Sequence, residues 1–293
     1  MKTINLFLTA FFILLAVGCS NDADQENAVD GYAPVTIQVN DFSVSMENFA
    51  STRAEQAVSD YTGVKAITLA FYDSNNEEIY KTTQLRADNT TYTTFGTFSC
   101  LLQKGSYTMV VLGYGSESAI TLTSKTEAVY TSDRVRETFV YTQSVNVTST
   151  AAINLSATLS RVVSRLNIVS TDVRTAEAVK IRTTFSAGGQ GVNPVTGLAT
   201  TNTGFSNTVE ITKNVGETAG SVNYLFLNTD EQTIHVTIDV LDANDNSISH
   251  KVVSNVPFKR NRVTQLTGSL FSASASTTFS VETTWIDPVE IGF

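Results

Sequence analysis

Apolar and polar positions alternate through most of the chain. Val35, Thr36, Ile37, Gln38 and Val39 have the two-residue period of a strand with one face buried. Phe42 and Val44 carry the apolar set onward after a slip at Asp41. Residues 66–72 (AITLAFY) predict a strong strand. The polar turn at 73–78 and a returning strand over 79–85 complete a hairpin. Strands are predicted over 95–102 and 107–113 on either side of a tight turn at Gln103-Lys104-Gly105-Ser106. The second of these is almost wholly apolar and reads as a central strand. Residues 119–123 and 138–147 predict further strands, and 133–137 a single helical turn.

The pattern restarts near residue 158. Leu159, Val162, Val163, Leu166, Ile168 and Val169 form a long apolar stretch interrupted by Arg161 and Arg165, followed by a strand over 179–185. Residues 188–204 are rich in Gly, Asn and Thr and contain Asn193-Pro194. That composition predicts a long surface loop, a natural place for binding function. Strands follow over 222–227, 234–241 and 248–253. In the middle one Ile234, Val236, Ile238 and Val240 share a face opposite His235, Thr237 and Asp239. Residues 256–270 form one more unit that turns at Asn261. Residues 277–285 close the pattern, with Phe279, Val281 and Trp285 on one face. No amphipathic helix longer than two turns and no exact internal repeat is present. The pattern predicts an all-β chain of two β-sandwich domains in series, over 35–158 and 159–293.

The start of the chain has a different character. Lys2 precedes an apolar run from Ile4 to Val17, about 14 residues where a membrane-spanning helix needs roughly 20. Such a run fits a secretory signal peptide over 1–18. The sequence Leu15-Ala16-Val17-Gly18-Cys19 resembles a lipobox, with its leucine one place early, and marks Cys19 for acylation. An ordinary signal peptide that happens to carry a cysteine is the alternative. Residues 19–34, with Asp22, Asp24, Glu26 and Asp30, read as an acidic tether. The first basic residue after Lys2 is Arg53, in the small-residue setting Ser51-Thr52-Arg53-Ala54. Such a site is open to a trypsin-like protease, but the residues alone favour a plain surface arginine.

Composition narrows the function. A net charge of −9 and a pI near 4.7 make the chain a poor candidate for nucleic acid, because phosphate binding needs a basic face. If Cys19 carries lipid, Cys100 is the remaining cysteine. No internal disulfide then forms, and Cys100 reads as a small strand hydrophobe. His235 and His250 read as solvent-facing strand residues. No metal-protease, nucleophile-elbow, phosphate-loop or paired-cysteine pattern occurs. Gly188-Gly189-Gln190-Gly191 lacks the strand–helix setting of a dinucleotide loop. Asp242-Ala243-Asn244-Asp245-Asn246-Ser247 resembles the start of a calcium loop but lacks its glycine and its final acidic ligand, so it reads as a hairpin turn. The reading is of a non-enzyme without cofactor or metal.

Three stretches together resemble the fimbrillin superfamily of Bacteroidales, the pilins and accessory subunits that assemble from lipoprotein precursors. The first is Phe98-Ser99-Cys100-Leu101-Leu102-Gln103-Lys104-Gly105-Ser106-Tyr107, followed by an apolar strand and Gly113-Tyr114-Gly115. The second is Leu159-Ser160-Arg161-Val162-Val163-Ser164-Arg165-Leu166. The third is Val256-Pro257-Phe258-Lys259-Arg260-Asn261-Arg262-Val263-Thr264-Gln265-Leu266-Thr267-Gly268.

The resemblance implies two tandem transthyretin-like Greek-key sandwiches and a subunit of a cell-surface fimbria, a type V-like pilus, at the outer membrane. It implies proteolytic maturation between Arg53 and Ala54, which would release the strand over 35–44. A donor strand over 277–293, led by Phe279, Val281 and Trp285, would fill the groove of another subunit. Implied partners are other fimbrial subunits and, through lipid, the outer membrane. The chain is short for a major pilin, which leaves tip and anchor roles open; an anchor would keep its lipid and stay uncut. The other reading is a tethered monomer that binds a glycan or host ligand. Its candidate aromatic contacts are Tyr72, Tyr80, Tyr92, Tyr114 and Trp285, with strand-end packing as their alternative role.

Overall fold

The computed structural model describes residues 31–43, 55–118, 120–131, 133–272 and 279–282. Every regular element among them is a β-strand. The first half contributes β1 (Tyr32–Ser43), β2 (Glu55–Ala57), β3 (Ala66–Tyr72), β4 (Glu78–Leu85), β5 (Thr97–Gln103), β6 (Gly105–Tyr114), β7 (Thr121–Ser124), β8 (Glu127–Val129), β9 (Thr138–Val147) and β10 (Ile153–Arg161). The second half contributes β11 (Ser164–Val173), β12 (Lys180–Phe185), β13 (Gly191–Asn193), β14 (Leu198–Ala199), β15 (Phe205–Glu210), β16 (Thr218–Leu225), β17 (Glu231–Leu241), β18 (Ser247–Lys259), β19 (Val263–Gly268) and β20 (Ser280–Glu282). The expected all-β class is observed.

The largest sheet runs β2-β1-β10-β9-β6-β3-β4, with β5 also paired to β1. Only Ser160↔Val140 and Arg161↔Phe139 join β10 to β9. The sheet folds over at that corner, and the layer of β5, β1 and β10 closes on the layer of β9, β6, β3 and β4. Between them lies a core that includes Ile37, Val39 and Phe42 of β1, Ile67, Leu69 and Phe71 of β3, Met109 and Val111 of β6, Phe139 of β9 and Leu159 of β10. The slip read at Asp41 is a bulge between Val39 and Asp41, which returns Phe42 to the core.

β3 and β6 are apolar on both faces because both faces are covered. Ala66, Ala70 and Tyr72, with Val110, Leu112 and Tyr114, pack into a separate cluster with Tyr130, Val162, Val192 and Phe226. The cover is a small sheet, β14-β13-β8-β7, drawn from both halves of the chain. In it Gly191 pairs with Val129 and Val192 with Ala128. The predicted surface loop over 188–204 is therefore corrected to a packed hairpin. Its glycines serve close approach: a Cβ on Gly191 would lie 2.5 Å from Thr200 Oγ1 and 3.0 Å from Val129 Cγ2.

The second half stacks the sheet β16-β11-β19-β20 on the sheet β15-β12-β17-β18. Leu166, Ile168, Ile181, Phe185, Ile234, Val236, Ile238, Phe258 and Leu266 fill the space between. β11 runs parallel to β19, in the register Arg165↔Val263 to Ser170↔Gly268.

Three local expectations change. The helical turn over 133–137 is absent. The Asp133 carboxylate holds Arg136 Nε and the Ser116 hydroxyl, each at 2.9 Å, and Val135 turns inward to the shared cluster. β1 begins at Tyr32, so the last residues assigned to the tether are strand, and Ala33 is buried in the first core. The division at 158/159 falls inside β10, whose Leu159 packs in the first core.

Candidate functional site

β1 is the element on which the implied assembly chemistry turns. It lies parallel to β10 and antiparallel to β5 along most of its length, and β2 covers its end at Asp41–Ser43. Val39 N–H donates to Gly96 O at 2.9 Å, and Val58 N–H donates to Asn40 O at 3.1 Å. Ala33, Val35, Ile37, Val39 and Phe42 all point into the core. Burying the four larger side chains contributes roughly 6–12 kcal/mol of transfer free energy. That is comparable with the whole net stability of a typical domain. The Phe42 ring lies 5.0 Å from Phe139 and 5.8 Å from Tyr61. Gly113 makes room for it, because a Cβ there would lie 2.8 Å from Phe42 Cε1.

Beside Phe42 sits a buried polar group that joins the halves of the chain. Arg161 Nη2 meets Glu137 Oε1 at 2.7 Å. The Tyr61 hydroxyl donates to Glu137 Oε2 at 2.5 Å. Arg161 also donates through Nη1 to Asn261 Oδ1 at 3.2 Å and stacks 5.1 Å above Phe139. Burial first, and then the Glu137 charge, push the Tyr61 hydroxyl well above the ordinary tyrosine range. Burial works to lower the Arg161 pKa, but the Glu137 charge beside it outweighs burial and raises it. Asn261 N–H donates to Val163 O at 2.8 Å, and Arg165 N–H to Arg262 O at 2.9 Å. Asn261 adopts φ +56°, a left-handed turn position that asparagine tolerates. The second and third stretches that carried the fimbrillin resemblance thus meet at this joint. Tyr61 and Glu137 were not singled out from the sequence, where nothing marks them.

At the other end of the second half, β20 is a short edge strand, pairing Leu266↔Val281 and Thr267↔Ser280 on β19. Phe279 packs against the second core and against Gly268, whereas Val281 stays 39% exposed. Cys19, Arg53, Ala54 and Trp285 lie outside the described residues, as does Val44.

The remaining candidates fall into place as packing or surface groups. Cys100 is half-buried on β5 and packs on the first core, and burial pushes its thiol up to about 11. A thiol so protonated is a poor nucleophile. His235 is exposed. The His250 ring nitrogen Nδ1 lies 2.7 Å from Asp239 Oδ1, and Arg182 reaches the other oxygen at 3.2 Å. Burial works to raise the Asp239 carboxyl, but hydrogen bonds from His250, Arg182 and Ser247 outweigh it and hold the group low. Among the described residues no cluster of three or more His, Cys, Asp or Glu could hold a metal. The calcium-like stretch is a hairpin turn in which Asp242 Oδ1 accepts from the N–H groups of Asn244 and Asn246. Of the proposed aromatic contacts, Tyr72 and Tyr114 are corrected to buried core residues. Tyr92 bonds to Leu85 O and Arg86 O and packs on Phe95.

The geometry defines an all-β protein of packed sheets whose two halves are joined by a hairpin sheet and by the buried contact of Arg161 with Asn261. Residues 115–291 match the family described as "Family of unknown function (DUF6562)", and the chain belongs to that family. No curated protein matches the sequence. In structure the chain is similar to a candidate adhesin from Bacteroides ovatus, at 12% identity and a TM-score of 0.51 over 88% of this chain and 97% of that one. It is also similar to the fimbrial anchor protein Mfa2 from Porphyromonas gingivalis, at 12% identity and a TM-score of 0.49 over 86% and 98%. The fold of the Bacteroides ovatus protein is the fold of this chain.

Proposed function

We propose that this protein is a surface-exposed subunit of a fimbria that contributes to adhesion and assembles by exchange of a β-strand. The observation that carries the reading is the position of β1. This first strand is central and holds a row of core side chains, yet it precedes a basic cleavage candidate at Arg53. A cut after Arg53 would detach the whole of β1 from a core that cannot stay empty, because the lost burial rivals the stability of a domain. An alternating apolar strand from another subunit would refill it. The fold shared with the Bacteroides ovatus candidate adhesin supports a role in adhesion.

In this reading Cys19 carries the lipid that holds the precursor at the outer membrane, and Arg53–Ala54 is the processed bond. Residues 277–293, with Phe279, Val281 and Trp285, supply the donor. Among the described residues β20 pairs with β19 over 280–282, at the edge of the sheet that a donor strand would leave.

The test is the intact mass and N-terminus of the protein from its native membrane. A mature chain beginning at Ala54, together with loss of polymers on truncation at residue 278, is the expected result. A chain that begins only at acylated Cys19 and forms no mixed fibres overturns strand exchange and leaves a tethered monomer.

A further inference from the structure

A cavity of about 740 Å³ opens where β15 and β16 end their respective sheets. Among the described residues β15 pairs only with β12, and β16 only with β11, so each has one edge without a partner strand. In an antiparallel strand, the N–H and C=O of a residue point to the same side, alternately toward and away from the neighbour. Ile211 N–H donates back to Val179 O beside β12, so Ser206, Thr208 and Glu210 turn their backbone groups outward. Ala219 N–H donates to Ser170 on the β11 side, whereas Val222 O accepts from Arg134 at 2.8 Å on the opposite side. Gly220 and Val222 therefore face the cavity. Two open strand edges border one space.

The interior beside this space is polar. Thr183, Asn207, Ser221 and Asn223 are all buried. Asn223 Nδ2 donates to Thr183 Oγ1 and to Ser221 Oγ, at 3.3 and 3.1 Å. This contact sets β16 across from β12. Asn207 is 4% exposed and lines the cavity. Its Nδ2 has no hydrogen-bond partner, and neither does Asn223 Oδ1. A buried donor and a buried acceptor left unmade cost stability, and groups of this kind ask for a reason.

The charged groups at the mouth balance one another, with Glu210 the second acidic group against Arg134 and Arg136. Asp133 pairs with Arg136 at 2.9 Å, and Arg134 is used on Val222 O. Among the described residues no aromatic ring lines the space to stack on a sugar face.

We infer that this cavity receives an extended, uncharged polypeptide segment. The segment adds to the open edge of β16 at Gly220 and Val222 and sets a small amide or hydroxyl side chain against Asn207. The site lies in the second half of the chain, away from β1, and does not depend on strand exchange there.

The test uses the full chain and a panel of fluorescein-labelled, end-blocked octapeptides that alternate Val with Thr or Asn, with hydrogen exchange read at individual amides. The expected result is saturable binding with protection of the Gly220 and Val222 amides. Val222→Pro removes only an outward N–H and should weaken binding about tenfold. Asn207→Val should raise Tm, because it removes an unpaired buried amide, yet weaken binding about tenfold. If Val222→Pro fails to fold, Asn207→Val still decides, since stability and affinity must move in opposite directions. No saturable peptide binding, or binding unchanged in both variants, overturns the inference. So does saturable binding of neutral oligosaccharides, tested with maltoheptaose and cellohexaose, without peptide binding.

Discussion

The Arg161 guanidinium and the Asn261 side-chain oxygen, 100 positions apart in the chain, lie 3.2 Å from each other. Arg161 ends the last strand of the first half, and Asn261 turns the hairpin between β18 and β19 in the second. Their contact, with Glu137 and Tyr61 behind it, fixes one half on the other beside the Phe42 end of β1.

Removing one member of this group should strand a charge. Glu137→Ala leaves Arg161 buried without its carboxylate and should destabilise the protein by about 3–5 kcal/mol. Arg161→Met with Glu137→Leu removes both charges and should recover most of that loss. A double-mutant cycle in urea checks the coupling. Additive effects would show that the pair does not act as a unit.

Gly113→Ala should push a methyl group against Phe42 and cost about 1–3 kcal/mol. Combined with Phe42→Leu, which frees the space, the added cost should fall close to zero. In a chain from which residues 1–53 have been removed and the groove refilled by a strand carrying a small residue at that place, Gly113→Ala should again be nearly neutral. Chemical denaturation of the three forms reads this directly.

The Tyr72 hydroxyl is buried with no hydrogen-bond partner. Tyr72→Phe should therefore stabilise the fold by about 1 kcal/mol at neutral pH. Burial, then the Glu78 charge, push Tyr72 up to about 12, against an unfolded value near 10. The stability linked to its proton is fully present below about pH 10 and is lost as pH rises toward 12. Melting curves from pH 9 to 12 should fall more steeply for the wild type than for Tyr72→Phe.

On the acid side Asp172 is the group to test. It accepts from the N–H groups of Leu270, Phe271 and Ser272 and from the Ser269 hydroxyl, at 2.6–2.9 Å, and so pins the chain after β19. Burial works to raise its pKa, but these bonds outweigh burial and hold the carboxyl below its usual range. Its contribution is present above about pH 4 and is lost as pH falls further. Asp172→Ala should cost about 2 kcal/mol at pH 7, and Asp172→Asn should flatten the fall in Tm below pH 4.

Much of the fold could be read because the strands carry their own period. The alternation at 35–39 and at 234–240 identified one buried face in each case, and the break near Asp41 appeared as a bulge. The apolar runs at 66–72 and 107–113 marked strands covered on both sides, without saying by what. The hairpin at 188–204 was misread because Gly, Asn and Thr are typical of loops. In this chain the glycines allow backbones to touch, and only the neighbour in space reveals that. Tyr61 and Glu137 gave no signal at all, since an isolated tyrosine and an isolated glutamate acquire meaning only when Arg161 arrives between them. The same holds for Asn207, whose unpaired amide is visible only once its surroundings are known.

What the sequence determined by itself is the all-β class, the faces of its strands and the acidic character, because periodicity and charge are local properties. The tertiary structure alone decided which strands share a core, that a glycine-rich hairpin ties the halves together, and where two open strand edges border one cavity. Those features depend on contacts between residues dozens to a hundred positions apart, and no local pattern encodes which distant partner a buried face will meet.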